Sequence, residues 1–291
     1  MKKKIISVIV GVAGLAAAYF VVSGISHIVY NRPVDNAATE STAETTEQGT
    51  EEAKVAMTED EINEMLAGMK TTETAETETA TEEQSEVIPV KFEELQAVNP
   101  DIYAWITVPG TDIDYPILQH ASDNTYYLMH NIDGSYGYPG CIYTENMNSK
   151  DFTDNNTVIY GHNMKNGSMF AQLHKFEDPD FFDANREVVI YLPGEVLHYT
   201  IFAAHIYDDR HLLYSFDFTD PEVYQKYLDS IFSTRDMSAN IDKDITVTTD
   251  DQIITLVTCI GSQPNNRLLV QAVLTDREPG TEAARAAAAT E

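Results

Sequence analysis

Residues 255–274 read TLVTCIGSQPNNRLLVQAVL. Two β-branched, apolar runs flank a short polar stretch, which is the pattern of a β-hairpin. The outgoing strand, QIITLVTC, ends at Cys259. The loop is IGSQPNN, and Arg267 opens the return strand. If the two runs pair as antiparallel neighbours, Arg267 comes back level with Cys259. Cys259 is one of only two cysteines in the chain. It can be a buried packing residue, half of a disulfide, or a nucleophile.

Outward from this hairpin the chain is rich in short strand patterns. IYAWITVPGTDIDYPILQ reads as two strands around a Pro109-Gly110 turn. GCIYTEN, NTVIYGHN, REVVIYLP, VLHYTIFAAHIY and DITVTT read as further strands. KFEELQAVNPD, SMFAQLHKF and DPEVYQKYLDSIFS read as helices, with Ser168 a candidate cap for the second. DNTYYLMH suggests one helical turn capped by Asp123 or Asn124. Many short strands, few helices and no βαβ alternation predict a mainly β fold, an antiparallel sheet or barrel, over residues 87–276.

The rest of the chain has a different composition. Lys2, Lys3 and Lys4 form a basic start (residues 1–4), and no fixed charge occurs from Ile5 to Tyr30. A run that long can cross the bilayer as a helix. With the lysines in front of it, it predicts a single-pass membrane anchor with a cytoplasmic N-terminus and an extracellular remainder, a cleaved signal peptide being the rival reading. Residues 31–86 are Thr-, Glu- and Ala-rich and nearly free of aromatics, so they read as a disordered acidic linker. Within them Thr58–Lys70 is patterned as a short amphipathic helix, read as transient, with docking the minor alternative. Residues 277–291 read as a disordered tail. The formal charge of −29 is repelled by phosphate backbones, so no nucleic-acid partner is expected.

Two cysteines cannot staple 291 residues, and no zinc-type spacing occurs, so no structural zinc is expected; the acidic residues are concentrated in the linker, and no metal or other cofactor is expected. An extracytoplasmic protein normally pairs or avoids its cysteines. A free Cys259 there implies use. The stretch NTVIYGHNMKNGSMF places His162 at a strand end before a polar turn, a rim position where an imidazole can exchange protons. A cysteine thiolate as nucleophile, His162 as general acid/base and Arg267 as an oxyanion donor form an acyl-transfer set. The remaining histidines, His174 among them, read as structural or surface groups.

TLVTC, YGHNMKNGSMF, the arginine that opens the last strand, and WITVPGTDIDYPILQ with DNTYYL together resemble one family. The chain is similar to the sortases, membrane-anchored cysteine transpeptidases of Gram-positive bacteria, and most of all to their class B. The resemblance implies an eight-stranded β-barrel with flanking short helices. It implies cleavage of a surface protein's C-terminal sorting signal after threonine, a thioester on Cys259, and transfer to an amine of a peptidoglycan precursor or a pilin. It also implies a pair in which thiol and imidazole are mostly neutral. Asn124, Leu128, Tyr160 and Thr258 fall on positions that line the substrate groove. Gly261 and Val257 depart from the common class B pattern, which leaves the sorting motif open.

Two other functions fit the same residues. A cysteine peptidase would use water as acceptor, and a non-catalytic surface module would leave Cys259 unreactive. Cys141, in YPGCIYTE, reads as a buried strand cysteine, with a Cys141–Cys259 disulfide as a testable alternative.

Overall fold

The computed structural model describes residues 59–69 and 88–281. All of them belong to one compact unit within Ala53–Glu291. The nine strands are β1 (Ile102–Thr107), β2 (Asp114–Leu118), β3 (Ile142–Thr144), β4 (Asn156–Tyr160), β5 (Glu187–Leu192), β6 (Glu195–Asp208), β7 (Asn240–Ile241), β8 (Ile253–Ile260) and β9 (Gln263–Pro279). They form one sheet in the order β5-β1-β2-β3-β4-β8-β9-β6-β7, and β5 also pairs with β6. That last pairing closes eight strands into a barrel, with the two-residue β7 appended outside the ring. Closure removes the unpaired edges that an open sheet would expose.

Most neighbours are antiparallel, as the strand patterns predict. Two pairs are parallel: β2 with β3, and β4 with β8. In β8 the side chains alternate cleanly. Ile254 and Leu256 face the barrel interior, whereas Ile253 and Val257 belong to an outer cluster. β9 does the same, with Leu268, Val270 and Ala272 inside and Leu269 and Val273 outside.

Helices cover the outer face. The helices are α1 (Glu59–Gly68), α2 (Phe92–Val98), α3 (Pro179–Ala184), α4 (Leu212–Ser215) and α5 (Pro221–Phe232). α5 begins where Asp220 accepts a hydrogen bond from the Glu222 N–H and Pro221 takes the first turn. Its buried Tyr224, Tyr227, Leu228 and Ile231 lie on one face at helical spacing and cover β8 and β9. Burying side chains of this size contributes roughly 1.5–3 kcal/mol each. A 3-10 helix, Phe170–Glu177, buries Phe170, Leu173 and Phe176, one residue in every three.

Several expectations need correction. Residues 244–249 join no strand; only Val247 is buried, anchoring an irregular segment on the outer cluster. Ser168 does not cap the 3-10 helix: its N–H and hydroxyl both donate to Asn166 Oδ1, and Met169 takes the cap position. The helix expected near 58–70 is docked, with Leu66 buried among Val90, Phe92, Leu95 and Trp105. Its end is fixed by the Lys91 N–H, which donates to Met69 O at 3.2 Å. The tail begins later than residue 277. β9 runs to Pro279, the Arg277 guanidinium meets Glu195 at 2.8 Å, and the Gly280 N–H donates to Gly194 O.

The predicted localisation, a single-pass membrane protein with an extracellular catalytic domain, is also corrected. Among the described residues no helix is long and apolar enough to cross a membrane. The apolar run 5–30 and the basic start that suggested it lie outside the described residues, as do most of the acidic linker and the end of the tail.

Beneath α5 a polar network crosses the apolar layer. Gln271, fully buried, donates to Tyr227 Oη at 2.8 Å and accepts from His205 Nε2 at 3.0 Å. Burial holds the His205 pKa below its ordinary value, against the opposing pull of Gln271. A histidine kept neutral in the fold takes up its proton more readily once unfolded. Stability therefore stands in full above the unfolded pKa of about 6.5 and falls as pH drops through it. Thermal unfolding between pH 7.5 and 5.5 should show a falling Tm, and His205→Gln should flatten that slope.

Candidate active site

The register of β4 on β8 locates the site. Tyr160 pairs with Val257 in parallel, and the Gly161 N–H continues the ladder by donating to Val257 O at 3.1 Å. Two residues further on, His162 and Cys259 stand level at the same rim, because parallel neighbours end together. On the other side of β8, Cys259 is the direct partner of Arg267 in β9. The hairpin therefore brings the arginine back level with the cysteine, as its sequence predicts. Directly opposed residues project on the same face.

Alternation decides which side chain is presented. Thr258 is 2% exposed and Cys259 is exposed. Thr258, expected to line the groove, instead points inward and donates its hydroxyl to Gly161 O at 2.9 Å, tying β8 to the turn before His162. Just past Cys259 the β8–β9 register slips, and Ile260 pairs with Gln263. The slip ends regular pairing at the cysteine and leaves its side chain outside the ladder.

His162 is half-buried. Its Nε2 lies 2.7 Å from Leu128 O. A carbonyl can only accept, so Nε2 carries the proton and Nδ1 is the basic nitrogen of the neutral ring. Burial lowers its pKa below the ordinary histidine value, and the Leu128 bond only partly offsets this. The ring of Tyr138 approaches it edge-on at 5.1 Å. The Arg267 guanidinium donates to the carbonyls of Pro264 at 2.9 Å and Asn266 at 2.8 Å, which fixes it over its own loop.

Leu128 ends a 3-10 turn, Tyr126–Leu128, and its side chain is 38% exposed. Tyr160 is half-buried on the outer face, stacked on Tyr143 at 5.4 Å. Asn124 Oδ1 accepts from the Asn146 N–H at 2.9 Å and so ties the loop of Leu128 to the end of β3. The structure thus brings Cys259, His162, Arg267, Leu128 and Tyr160 to one rim, with Asn124 at its margin. Cys141 stands apart: it is buried in a cluster with Trp105 and Tyr127, its pKa is pushed far up by burial, and both cysteines are free. No Cys141–Cys259 disulfide exists.

Two residues at the site escaped the sequence reading. Asn163 Nδ2 and His174 Nε2 both reach Cys259 O, at 2.9 and 3.1 Å. Asn163 adjoins His162 and could have been suspected. His174 carried one signal only, its place beside the every-third-residue apolar pattern of the 3-10 helix.

A barrel with a free cysteine, a histidine and an arginine brought to one rim defines a cysteine acyl-transfer scaffold, and relatedness agrees. The sortase domain family model matches residues 106–275. Sortase B of Listeria monocytogenes is 37% identical over 171 residues, covering 58% of this chain and 67% of its own. Sortase B of Staphylococcus aureus is 29% identical over 184 residues, 62% of this chain and 73% of its own. The crystal structure of Clostridium perfringens sortase B superposes with a TM-score of 0.58 at 34% identity, covering 64% of this chain and all of that one. A Bacillus anthracis protein described as similar to sortase B gives 0.60 at 32%, over 77% of this chain and all of that one. The chain belongs to the sortases, a family of cysteine transpeptidases. Within them it is a class B sortase.

Two outcomes are expected. The ring protons of His162 should titrate by NMR with a midpoint below about 6.5. A methyl group at Gly161 would meet Ile142 Cδ1 and Phe170 Cγ at 2.5 Å. Gly161→Ala should therefore cost about 1–3 kcal/mol in denaturant unfolding and displace the adjacent His162 signals.

Proposed function

We propose that this chain cleaves a C-terminal sorting signal after threonine and transfers the threonine acyl group, by way of a thioester, to an amine. The observation that carries this is one exposed thiol, Cys259, directly opposite Arg267 on β9, with His162 two residues past the end of β4, the strand that pairs with β8 on its other side. Kinship with the class B sortases supports it. One S. aureus relative has been crystallised as a sortase B–substrate complex.

The chemistry follows from the groups in place. Cys259 gives its proton to His162 Nδ1, and the thiolate attacks the threonine carbonyl carbon. The oxygen of that carbonyl becomes an oxyanion, which Arg267, always charged, stabilises. The tetrahedral species collapses, the C–N bond breaks, and His162 returns its proton to the leaving amine. A thioester remains on Cys259. An acceptor amine from a peptidoglycan precursor or a pilin attacks it, loses a proton to His162, and forms the new amide as the thiol is released. The depressed pKa of His162 suits a resting state with a neutral imidazole, able to take a proton at Nδ1. Leu128 and Tyr160 flank the rim and are assigned to substrate contact. Asn124 is assigned to holding the loop that bears Leu128.

The test uses the full-length protein with fluorogenic peptides spanning LPxTG-like and NPxTN-like motifs, with and without an added amine. Wild type should cleave after threonine, show a thioester on Cys259 by mass spectrometry, and form ligated product when amine is present. Cys259→Ala should be inactive. His162→Ala should lose about 10²–10⁴-fold and Arg267→Ala about 10²–10³-fold, both while folded. Full activity in Cys259→Ala would overturn the assignment. Cleavage unchanged by amine, with no ligated product, would make the chain a peptidase.

A further inference from the structure

The carbonyl of Cys259 is held by side chains the proposed chemistry does not use. Asn163 Nδ2 donates to it at 2.9 Å, and His174 Nε2 lies 3.1 Å away. The two side chains also touch, with Asn163 Nδ2 3.0 Å from His174 Nε2. Behind them, His174 Nδ1 is 2.7 Å from Glu177 Oε2. Two side chains thus converge on one backbone oxygen, and a third, Glu177, anchors one of them.

The donor count closes in both protonation states of His174. Glu177 as a carboxylate and Cys259 O can only accept, so Nδ1 carries a proton toward Glu177. In the neutral ring, Nε2 accepts one N–H of Asn163 while the other N–H of Asn163 goes to Cys259 O. In the imidazolium, Nε2–H donates to Cys259 O directly. Either way the carbonyl keeps an N–H donor and His174 keeps its anchor.

The location gives this grip its use. Cys259 is the last residue of regular β8–β9 pairing before the register slips. A strand tip at such a point frays unless something holds it. Asn163 directly follows His162, and His174 belongs to the 3-10 helix fixed by buried Phe170, Leu173 and Phe176. One oxygen therefore joins the end of β4, the tip of β8 and a helix packed in the core.

We propose that His174, oriented by Glu177 and acting with Asn163 on the Cys259 carbonyl, is a positioning residue that sets the spacing between the Cys259 thiol and the His162 ring. The proposal rests on the assignment of Cys259 and His162 made above. His174 touches no reacting atom. It acts through geometry, where a misplacement of about 1 Å can cost on the order of 10²-fold in rate.

The test compares His174→Ala, His174→Gln, Asn163→Ala and the double variant Asn163→Ala/His174→Ala in the full-length protein, with the peptide assay and amide hydrogen exchange. His174→Ala and Asn163→Ala should each lower kcat by about tenfold with KM within twofold. His174→Gln, whose amide can still donate to the carbonyl, should recover at least half of the wild-type kcat. The double variant should fall well short of the product of the single losses, because both remove one grip. In the alanine variants the Gly161 and Phe170 amides, which donate to Val257 O and His162 O, should exchange faster while Tm stays within a few degrees. Wild-type kcat in His174→Ala, or an equal loss in the glutamine variant, would overturn the proposal. If wild type cleaves no peptide, the functional reading has failed by itself. The exchange data then decide whether the clamp holds the two strand ends, and unchanged protection would remove it.

Discussion

The parallel pairing of β4 with β8 is the constraint on which the rest depends. Antiparallel neighbours would end at opposite rims, and a histidine closing one strand would lie a barrel's height from a cysteine closing the other. Parallel neighbours end together, so NTVIYGH and QIITLVTC deliver His162 and Cys259 to one place. The pairing is bought with a long crossover through β5, β6, β7 and α5; β5 and β6 join the barrel wall, and α5 becomes the outer layer that covers β8 and β9. Alternation on the pleat does the remaining sorting. It sends Thr258 into the barrel, Cys259 out of it, and Arg267 out beside Cys259.

Local polar bonds then convert a rim into a site. Thr258 ties β8 to Gly161, Leu128 O orients the His162 ring, and the Cys259 carbonyl takes Asn163 and His174. Burial lowers the pKa of His162, which favours its neutral form near pH 7. A carbonyl acceptor on Nε2 orients the ring and leaves Nδ1 as its unprotonated nitrogen. Arg267, paired with Cys259, sets a fixed positive charge beside it.

Much of this was legible in the sequence, and the parts that were not share a cause. Strands β1, β2, β4, β5, β6, β8 and β9, the α2 and α5 helices, and the Cys259–Arg267 pairing follow from local alternation, turn residues and hairpin geometry. The parallel β4–β8 pairing does not, because partners as far apart in sequence as Tyr160 and Val257 leave no local mark of who pairs with whom. His174 reads as a surface histidine, since its target is a backbone oxygen brought near only by the fold. The inward position of Thr258 was within reach: once Cys259 is placed outward on a strand, its neighbour must face the other way. Residues 244–249 carry strand composition, but with only Val247 buried and no pairing partner they stay irregular.

Barrel closure also fixes when the site can exist. The ring is sealed by β1 on β5, β5 on β6 and β6 on β9, and the cysteine strand is wedged between β4 and β9. Of these pairings β5–β6 and β8–β9 are local hairpins, but β1–β5, β6–β9 and β4–β8 are distant in sequence, so chain-closure entropy must be met before the ring forms, and such topologies fold slowly. Cys259 lacks one of its two neighbouring strands until both β4 and β9 are in place. A chain emerging from synthesis thus carries a thiol with neither its histidine nor its arginine beside it until about the last strand is available. The hairpin alone can bring Arg267 to Cys259, but the meeting of both with the end of β4 is a property of the closed barrel.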